Sequence, residues 1–328
     1  MLAADIGGTK SELALYEVTS ENCTLIERKR FASKDFAGLD AVIESFFSAF
    51  NCSPKYASIG VAGPVSGRKA QLTNLPWYID CQELEQKFGF DKALLVNDLT
   101  AVCHAIPILT DNELLELQQG SAKPGEMKGV IAPGTGLGQG FLLERDGIVF
   151  ARGSEGGHVD FGPVDEEQTA LLTWMQQKQQ PVSYETLIAG PGIQYLYDFC
   201  KEYHTLPESP EVVAQMVDCK DRTPVIVTAA IASSPCRLCQ KTIDLFLSIL
   251  GSEAGNLALK LYAKGGVYIG GGIVPRLVGK VSFTSFLASF LNKGQMSGFM
   301  IDIPVKIILE RDAALLGVAQ IGQLQNYS

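Results

Sequence analysis

The sequence predicts an α/β protein of two lobes. Short apolar runs ending in glycine or asparagine alternate with longer stretches of helical periodicity, which is the signature of strands and helices layered on one another. Two glycine-rich turns, at 7–8 and 134–140, each lie between a pair of strand-like runs. The second set follows a turn-rich stretch at Gln118–Gly129, as if a second lobe began there.

The elements follow in order. A first apolar strand runs up to Ile6, turns at Gly7-Gly8, and returns around Leu13–Tyr16, which reads as a β-hairpin. Ala57–Ala62 is a buried strand stopped by Gly63-Pro64. Ala93–Val96 is another, leading straight into Asn97-Asp98 and a helix at Ala101–Ile106 that stops at Pro107. Val130-Ile131 and Phe141–Leu143 flank the second glycine-rich turn, a weak internal echo of the opening hairpin. Glu166–Leu259 is mostly helical by periodicity. Val267–Ile269 is a strand before Gly270-Gly271-Gly272, with a helix expected near Pro275. A strand at Val305–Leu309 and an apolar helix from Ala313 close the chain.

Bulk properties narrow the function. With 328 residues, 46% hydrophobic and 19% charged, the chain is globular and can bury a sizeable core. A net charge of −9 repels nucleic-acid backbones and anionic lipid surfaces, so neither is expected as a partner. The opening Met-Leu-Ala-Ala-Asp-Ile-Gly-Gly has no basic region and no long apolar core, and no apolar run elsewhere reaches about 18 residues. A cytoplasmic location is expected, with the eight cysteines reduced. Cys236 and Cys239 form a C-x-x-C pair without two further ligands at zinc-site spacing, and read as a helix entry.

Five segments carry candidate chemistry. In Asp5-Ile6-Gly7-Gly8-Thr9-Lys10, the glycines let backbone N–H groups approach phosphate oxygens and the Thr9 hydroxyl can donate. Asp5 suits a hydrated Mg²⁺, which tolerates one or two carboxylates; an ordinary Gly-Gly hairpin with a structural Asp is the even alternative. Gly134-Thr135-Gly136-Leu137-Gly138 offers the same donors. It is not the dinucleotide fingerprint, because position 139 is Gln, and no P-loop motif occurs. Gly270-Gly271-Gly272 would let a flat nucleoside lie on the backbone, or simply form a tight turn. Asn97-Asp98 sits at the carboxyl end of a strand, where ligands bind in α/β sheets; Asp98 can take a hydroxyl proton, or Asp98-Leu99-Thr100 can cap the following helix. Glu155-Gly156-Gly157-His158-Val159-Asp160 clusters donors and acceptors suited to a polyhydroxylated ligand. Glu185, before Gly190-Pro191-Gly192, is a further carboxylate that by itself reads as a solvated helix residue.

Taken in order, Asp5–Lys10, Ala62–Gly67, Leu72–Asn74, Asn97–Val102, Gly134–Gly138, Glu155–Phe161, Glu185–Gly192 and Gly270–Arg276 resemble the motifs of bacterial ATP-dependent glucokinases, nearly end to end. The resemblance implies the two-lobed actin-like ATPase (ribonuclease H-like) fold with mixed sheets and an interlobe cleft for sugar and ATP. It implies a small lobe of 1–108 plus 302–328 and a large lobe of 109–301. It implies Asp98 as catalytic base on the 6-hydroxyl of glucose. Asn97, Asp98, Glu155, His158 and Glu185 are implied as sugar ligands, and Asp5, Gly7, Gly8, Thr9, Lys10, Gly134, Thr135, Gly136 and Gly138 as holders of the ATP phosphates and Mg²⁺. Gly270, Gly271 and Gly272 are implied on the nucleoside side. The family commonly forms homodimers. Lys10 stands where the family more often has Asn. The related repressor and sugar-kinase group shares that Lys but carries a cysteine-rich zinc segment after its Glu-Gly-His motif, where this chain has Phe161-Gly162-Pro163-Val164-Asp165.

Rival readings are a kinase for mannose, N-acetylglucosamine or fructose, a polyphosphate-dependent kinase, a non-catalytic sugar sensor, and an ATPase interaction module. The acidic chain speaks against polyphosphate. The hairpin beginning at Asp5 leaves no room for a regulator's helix-turn-helix. Asn97, Asp98, Glu155 and His158 speak against a sugar-free ATPase module.

Overall fold

A computed structural model describes residues 1–19, 22–72 and 74–327. They fall into two compact units: Met1–Thr110 with Val149–Gly153 and the segment from Glu310 onward, and Asp111–Ile148 with Ser154–Leu309.

The first unit is built on strands β1 (Leu2–Ile6), β2 (Lys10–Val18), β3 (Cys23–Ala32), β4 (Tyr56–Val61) and β8 (Lys92–Asn97), in the order β3-β2-β1-β4-β8. A small three-stranded sheet of β5 (Val65–Ser66), β6 (Lys69–Gln71) and β7 (Tyr78–Asp80) precedes β8. β1 and β2 form the expected hairpin, while β1, β4 and β8 run parallel. The register aligns Ile6 with Val61 and Val61 with Asn97, so the three strands end side by side.

β1 is buried on both faces. Leu2, Ala4 and Ile6 join one core with Phe46, Ile59, Val61 and Trp77; Ala3 joins the other with Ala14, Ala101, Leu315 and Val318. Side chains alternate along a strand, so Asp5 shares the face of Ala3, the one covered by the helices Asp98–Ala105 and Ala313–Tyr327. Those helices approach closely because Gly317 has no Cβ: one added there would strike the Ala101 carbonyl oxygen. This packing anchors the start of the helix that carries Asp98.

The second unit repeats the arrangement. Strands β9 (Leu114–Gln118), β10 (Lys128–Pro133), β11 (Leu137–Arg145), β13 (Gly266–Ile269) and β14 (Val305–Ile308) lie in the order β11-β10-β13-β14-β9; Ile148–Ser154 is β12. β10 and β11 form a hairpin, and β10, β13 and β14 are parallel. The echo seen between the two hairpins is thus a repeat of sheet topology. The helical region supplies most of the core, centred on the 25-residue helix Arg237–Leu261. Cys236 stands at that helix's N-cap, as its helix-entry reading required.

The expected division of the chain needs correction at its last boundary. Val305–Ile308 pairs with β13 and β9, which holds residues 302–309 in the second unit. Residues 149–153 join the first, where Gly153 N donates to Thr100 Oγ1 at 2.9 Å. Among the described residues, no helix is long and apolar enough to cross a membrane.

Candidate active site

In the first unit the glycine turn is held by its own backbone: Gly7 N donates to Lys10 O at 2.9 Å, and Ser33 Oγ donates to Gly7 O at 2.8 Å. Gly8 lies directly on Asn74, whose Cβ is 2.8 Å from where a Gly8 Cβ would stand. Thr9 and Lys10 are exposed. Of the Leu72–Asn74 motif, Thr73 lies outside the described residues.

Asp5 stands at the end of β1 in a poorly solvated position. Burial raises its carboxyl from 3.8 to about 6; Lys10 opposes this, while the charges of Asp98, Glu12 and Asp312 add to it. Nearby, Glu12 is only 2% exposed. Burial pushes Glu12 upward, but hydrogen bonds and charge from Arg30 and Arg28 outweigh it and hold the carboxyl below its usual range. Arg28 also reaches Asp312 at 2.7 Å. Glu12 is therefore neutralised by its neighbours, whereas Asp5 carries an incompletely balanced charge. That donor set fits a hydrated divalent cation: a hard carboxylate oxygen, acidic neighbours, and one lysine nearby.

Asn97 and Asp98 occupy the carboxyl end of β8. The helix cap is Asn97 rather than Asp98. Asn97 Oδ1 accepts from Leu99 N at 3.0 Å and Thr100 N at 3.2 Å, because the residue before the first helical turn, still extended, can fold its oxygen over those amides. Asp98 is the first helical residue, and its Oδ1 accepts from Asn97 Nδ2 at 3.0 Å and Leu99 N at 2.9 Å. These bonds fix the carboxylate's orientation. The parallel pairing of β1, β4 and β8 brings Asp98, one residue past β8, close enough to Asp5 for its charge to be felt there.

In the second unit the Gly134–Gly138 turn joins β10 to β11, and Gly134 N donates to Gly136 O at 2.8 Å. Glu185, read by itself as solvated, instead packs on this turn. Its Oε2 accepts from Leu137 N at 2.8 Å and would meet a Cβ on Gly136 at 2.7 Å. Glu185 lies in the short helix Tyr184–Ile188, whose start is fixed by a capping box between Ser183 and Thr186. His158 Nδ1 lies 3.7 Å from Glu185 Oε1, and His158 Nε2 lies 3.8 Å from Glu155 Oε2. Tyr184 N to Val159 O (3.1 Å) and Phe161 N to Val182 O (2.9 Å) clamp the two segments together. Glu155, His158 and Glu185 therefore converge, with Glu155 and His158 exposed.

The third glycine cluster reaches the same edge. Gly270 N donates to Ile131 O at 2.9 Å, and Gly272 N is 4.0 Å from where a Gly134 Cβ would stand. Gly271 has φ +83°, and a Cβ there would strike the Pro133 carbonyl, so glycine is required. Gly272 is exposed, with nothing within 4 Å of its missing Cβ.

One supporting group was not foreseen from sequence. Gln139, 2% exposed, donates Nε2 to the fully buried Glu253 Oε1 at 2.9 Å. Asn256 Nδ2 bridges Glu253 Oε2 (3.0 Å) and Tyr184 Oη (3.1 Å), and Lys293 Nζ donates to Asn256 Oδ1 at 2.8 Å. Gly156 rests against the Gln139 amide with no room for a Cβ. The network thus underlies both the Glu155–His158 loop and the helix of Glu185. A Glu in the middle of the apolar stretch Leu245–Leu259 was the available signal.

The glucokinase family model matches residues 2–325. The glucokinase of Nostoc punctiforme is 38% identical over 334 aligned residues, covering 97% of each chain. That of Yersinia enterocolitica is 34% identical, covering 96% of this chain and 94% of its own. A crystal structure of a glucokinase from an Antarctic psychrotroph superimposes with a TM-score of 0.84 at 30% identity, covering 98% of both chains. The chain belongs to the glucokinase family of hexose-phosphorylating kinases.

Proposed function

We propose that the chain transfers the γ-phosphoryl group of ATP to the 6-hydroxyl of glucose, giving glucose 6-phosphate and ADP, with Asp98 as the base. The observation that supports this best is the pair Asp5 and Asp98. Two carboxylates, one near the end of β1 and one just past the end of β8 with β4 between them, repel each other, and a stable core gains nothing from them. Phosphoryl transfer has a use for both: one beside the metal, the other to receive the hydroxyl proton.

In this mechanism Asn97, Asp98, Glu155, His158 and Glu185 bind the sugar hydroxyls. The Asp98 Oδ1 bonds to Leu99 N and Asn97 Nδ2 hold the carboxylate in one orientation. It accepts the proton of the 6-hydroxyl as that oxygen attacks phosphorus in line. The turns Asp5–Lys10 and Gly134–Gly138 present N–H groups and the hydroxyls of Thr9 and Thr135 to the phosphates. The exposed Gly271-Gly272 backbone takes the nucleoside. Asp5 would hold Mg²⁺ through water, and the ion would neutralise phosphate charge during transfer.

A homodimer and a cytoplasmic location are the readings that fit the family resemblance and the acidic composition; size-exclusion with light scattering tests the first. The function is tested by following ADP release from Mg-ATP with glucose, mannose, fructose, N-acetylglucosamine or no sugar. Glucose-dependent release is expected. Release that ignores sugar would favour an ATPase module, and preference for another hexose would reassign the substrate.

A further inference from the structure

Three metal-binding side chains meet in the second unit, in a cluster that the proposed phosphoryl transfer does not use. Cys200 lies in the helix Gly190–Tyr203 and His204 caps its end. Four residues apart on a helix, they point to one side. Glu167, in the first turn of the helix Glu166–Gln176, faces them. The donor atoms of Glu167, Cys200 and His204 all lie within 4.8 Å of one another. In a tetrahedral zinc site, bonds of about 2.0–2.3 Å put donors about 3.2–3.8 Å apart, so small side-chain adjustments suffice.

The surroundings favour such an ion. His204 Nε2 and Glu167 Oε1 are 2.6 Å apart, sharing a proton where a cation could sit. Lys241 Nζ holds the other carboxylate oxygen at 2.9 Å, which leaves Oε1 to coordinate. Cys200 is fully buried, so its sulfur closes the cluster on the side away from solvent. Glu167 and His204 are 23% and 28% exposed, so an ion can enter beside them and a water can fill the fourth position.

We propose that Glu167, Cys200 and His204 form a site for one borderline-soft divalent cation of the Zn²⁺ type. Binding releases the Cys200 thiol proton to solvent. Neutral His204 coordinates through Nε2 with its proton on Nδ1. The ion joins the helix Glu166–Gln176, which follows the Glu155–Phe161 loop, to the helix Gly190–Tyr203, which follows Glu185. It therefore staples the two helices that emerge from the proposed sugar-binding segments.

Co²⁺ titration of the chelator-stripped full chain tests this. One equivalent is expected to give tetrahedral visible bands and a near-ultraviolet thiolate-to-cobalt band. Cys200→Ser is expected to lose the near-ultraviolet band. His204→Gln, at a partly exposed position, is expected to leave the fold intact and to weaken binding at least about tenfold. Cys236→Ser is expected to change neither, and Zn²⁺ is expected to raise the melting temperature of the parent chain but not of His204→Gln. A chain that gives no thiolate band, a band kept in Cys200→Ser, or unchanged affinity in His204→Gln would overturn the site and leave Glu167 as a plain ion-pair partner of His204 and Lys241.

Discussion

Gln139 and Glu253 are joined by a 2.9 Å hydrogen bond in a site with almost no solvent. The bond matters because Gly156 lies on the same Gln139 amide. Gln139→Leu would deprive a buried carboxylate of a donor, at a cost of about 1–3 kcal/mol. It would also remove the support under the Glu155–His158 loop. Denaturant unfolding should show the loss of stability, and steady-state kinetics a rise in the KM for sugar larger than any fall in kcat. Unchanged sugar KM would separate the network from the site.

Asp5 gives a pH signature. Its folded value of about 6 lies above the unfolded 3.8. The folded state therefore binds the proton more tightly, and the stability this contributes is full below about pH 4 and lost as pH rises through 6. A shift of about two units corresponds to about 3 kcal/mol, discounted to about 1–2 kcal/mol for partial solvent contact. Asp5→Asn should be more stable than the parent chain by that amount at pH 8, with the difference vanishing near pH 4, and should lose Mg-ATP turnover. Equal stability at pH 8 would mean that Asp5 is already balanced.

Gly271 and Gly272 should behave differently on replacement by alanine. Gly271→Ala forces a side chain at φ +83° against the Pro133 carbonyl and should destabilise the chain by about 2 kcal/mol or more. Gly272→Ala meets open space, so the fold should be untouched while the KM for ATP rises and that for glucose does not. Thermal melts and two-substrate kinetics check both halves.

The parts of this fold legible from sequence were those with a one-sided physical demand. β1, β4 and β8 are buried runs ended by Gly or Asn, and the two glycine hairpins announce themselves. β3 was not legible: Thr24–Arg30 is exposed throughout, so an edge strand of Thr-Leu-Ile-Glu-Arg-Lys-Arg carries no burial alternation to read. β9 is half-buried without clear alternation, so nothing in its pattern marks a strand. Glu185 looked solvated because its partner, Leu137 N, is 48 residues away. The cap went to Asn97 because it, not Asp98, is the last extended residue. Glu167, Cys200 and His204 could not be grouped at all, since helix packing rather than spacing brings them together.

The central claim is that Asp98 receives the proton of the sugar hydroxyl. Asn at this position keeps an oxygen for Leu99 N and nearly the same shape, but cannot accept that proton. The measurement is glucose affinity by calorimetry together with kcat for Asp98→Asn. Affinity within a few-fold of the parent chain and a kcat lower by about 10²–10⁴-fold or more are expected. Near-parental turnover with intact glucose binding would contradict the assignment.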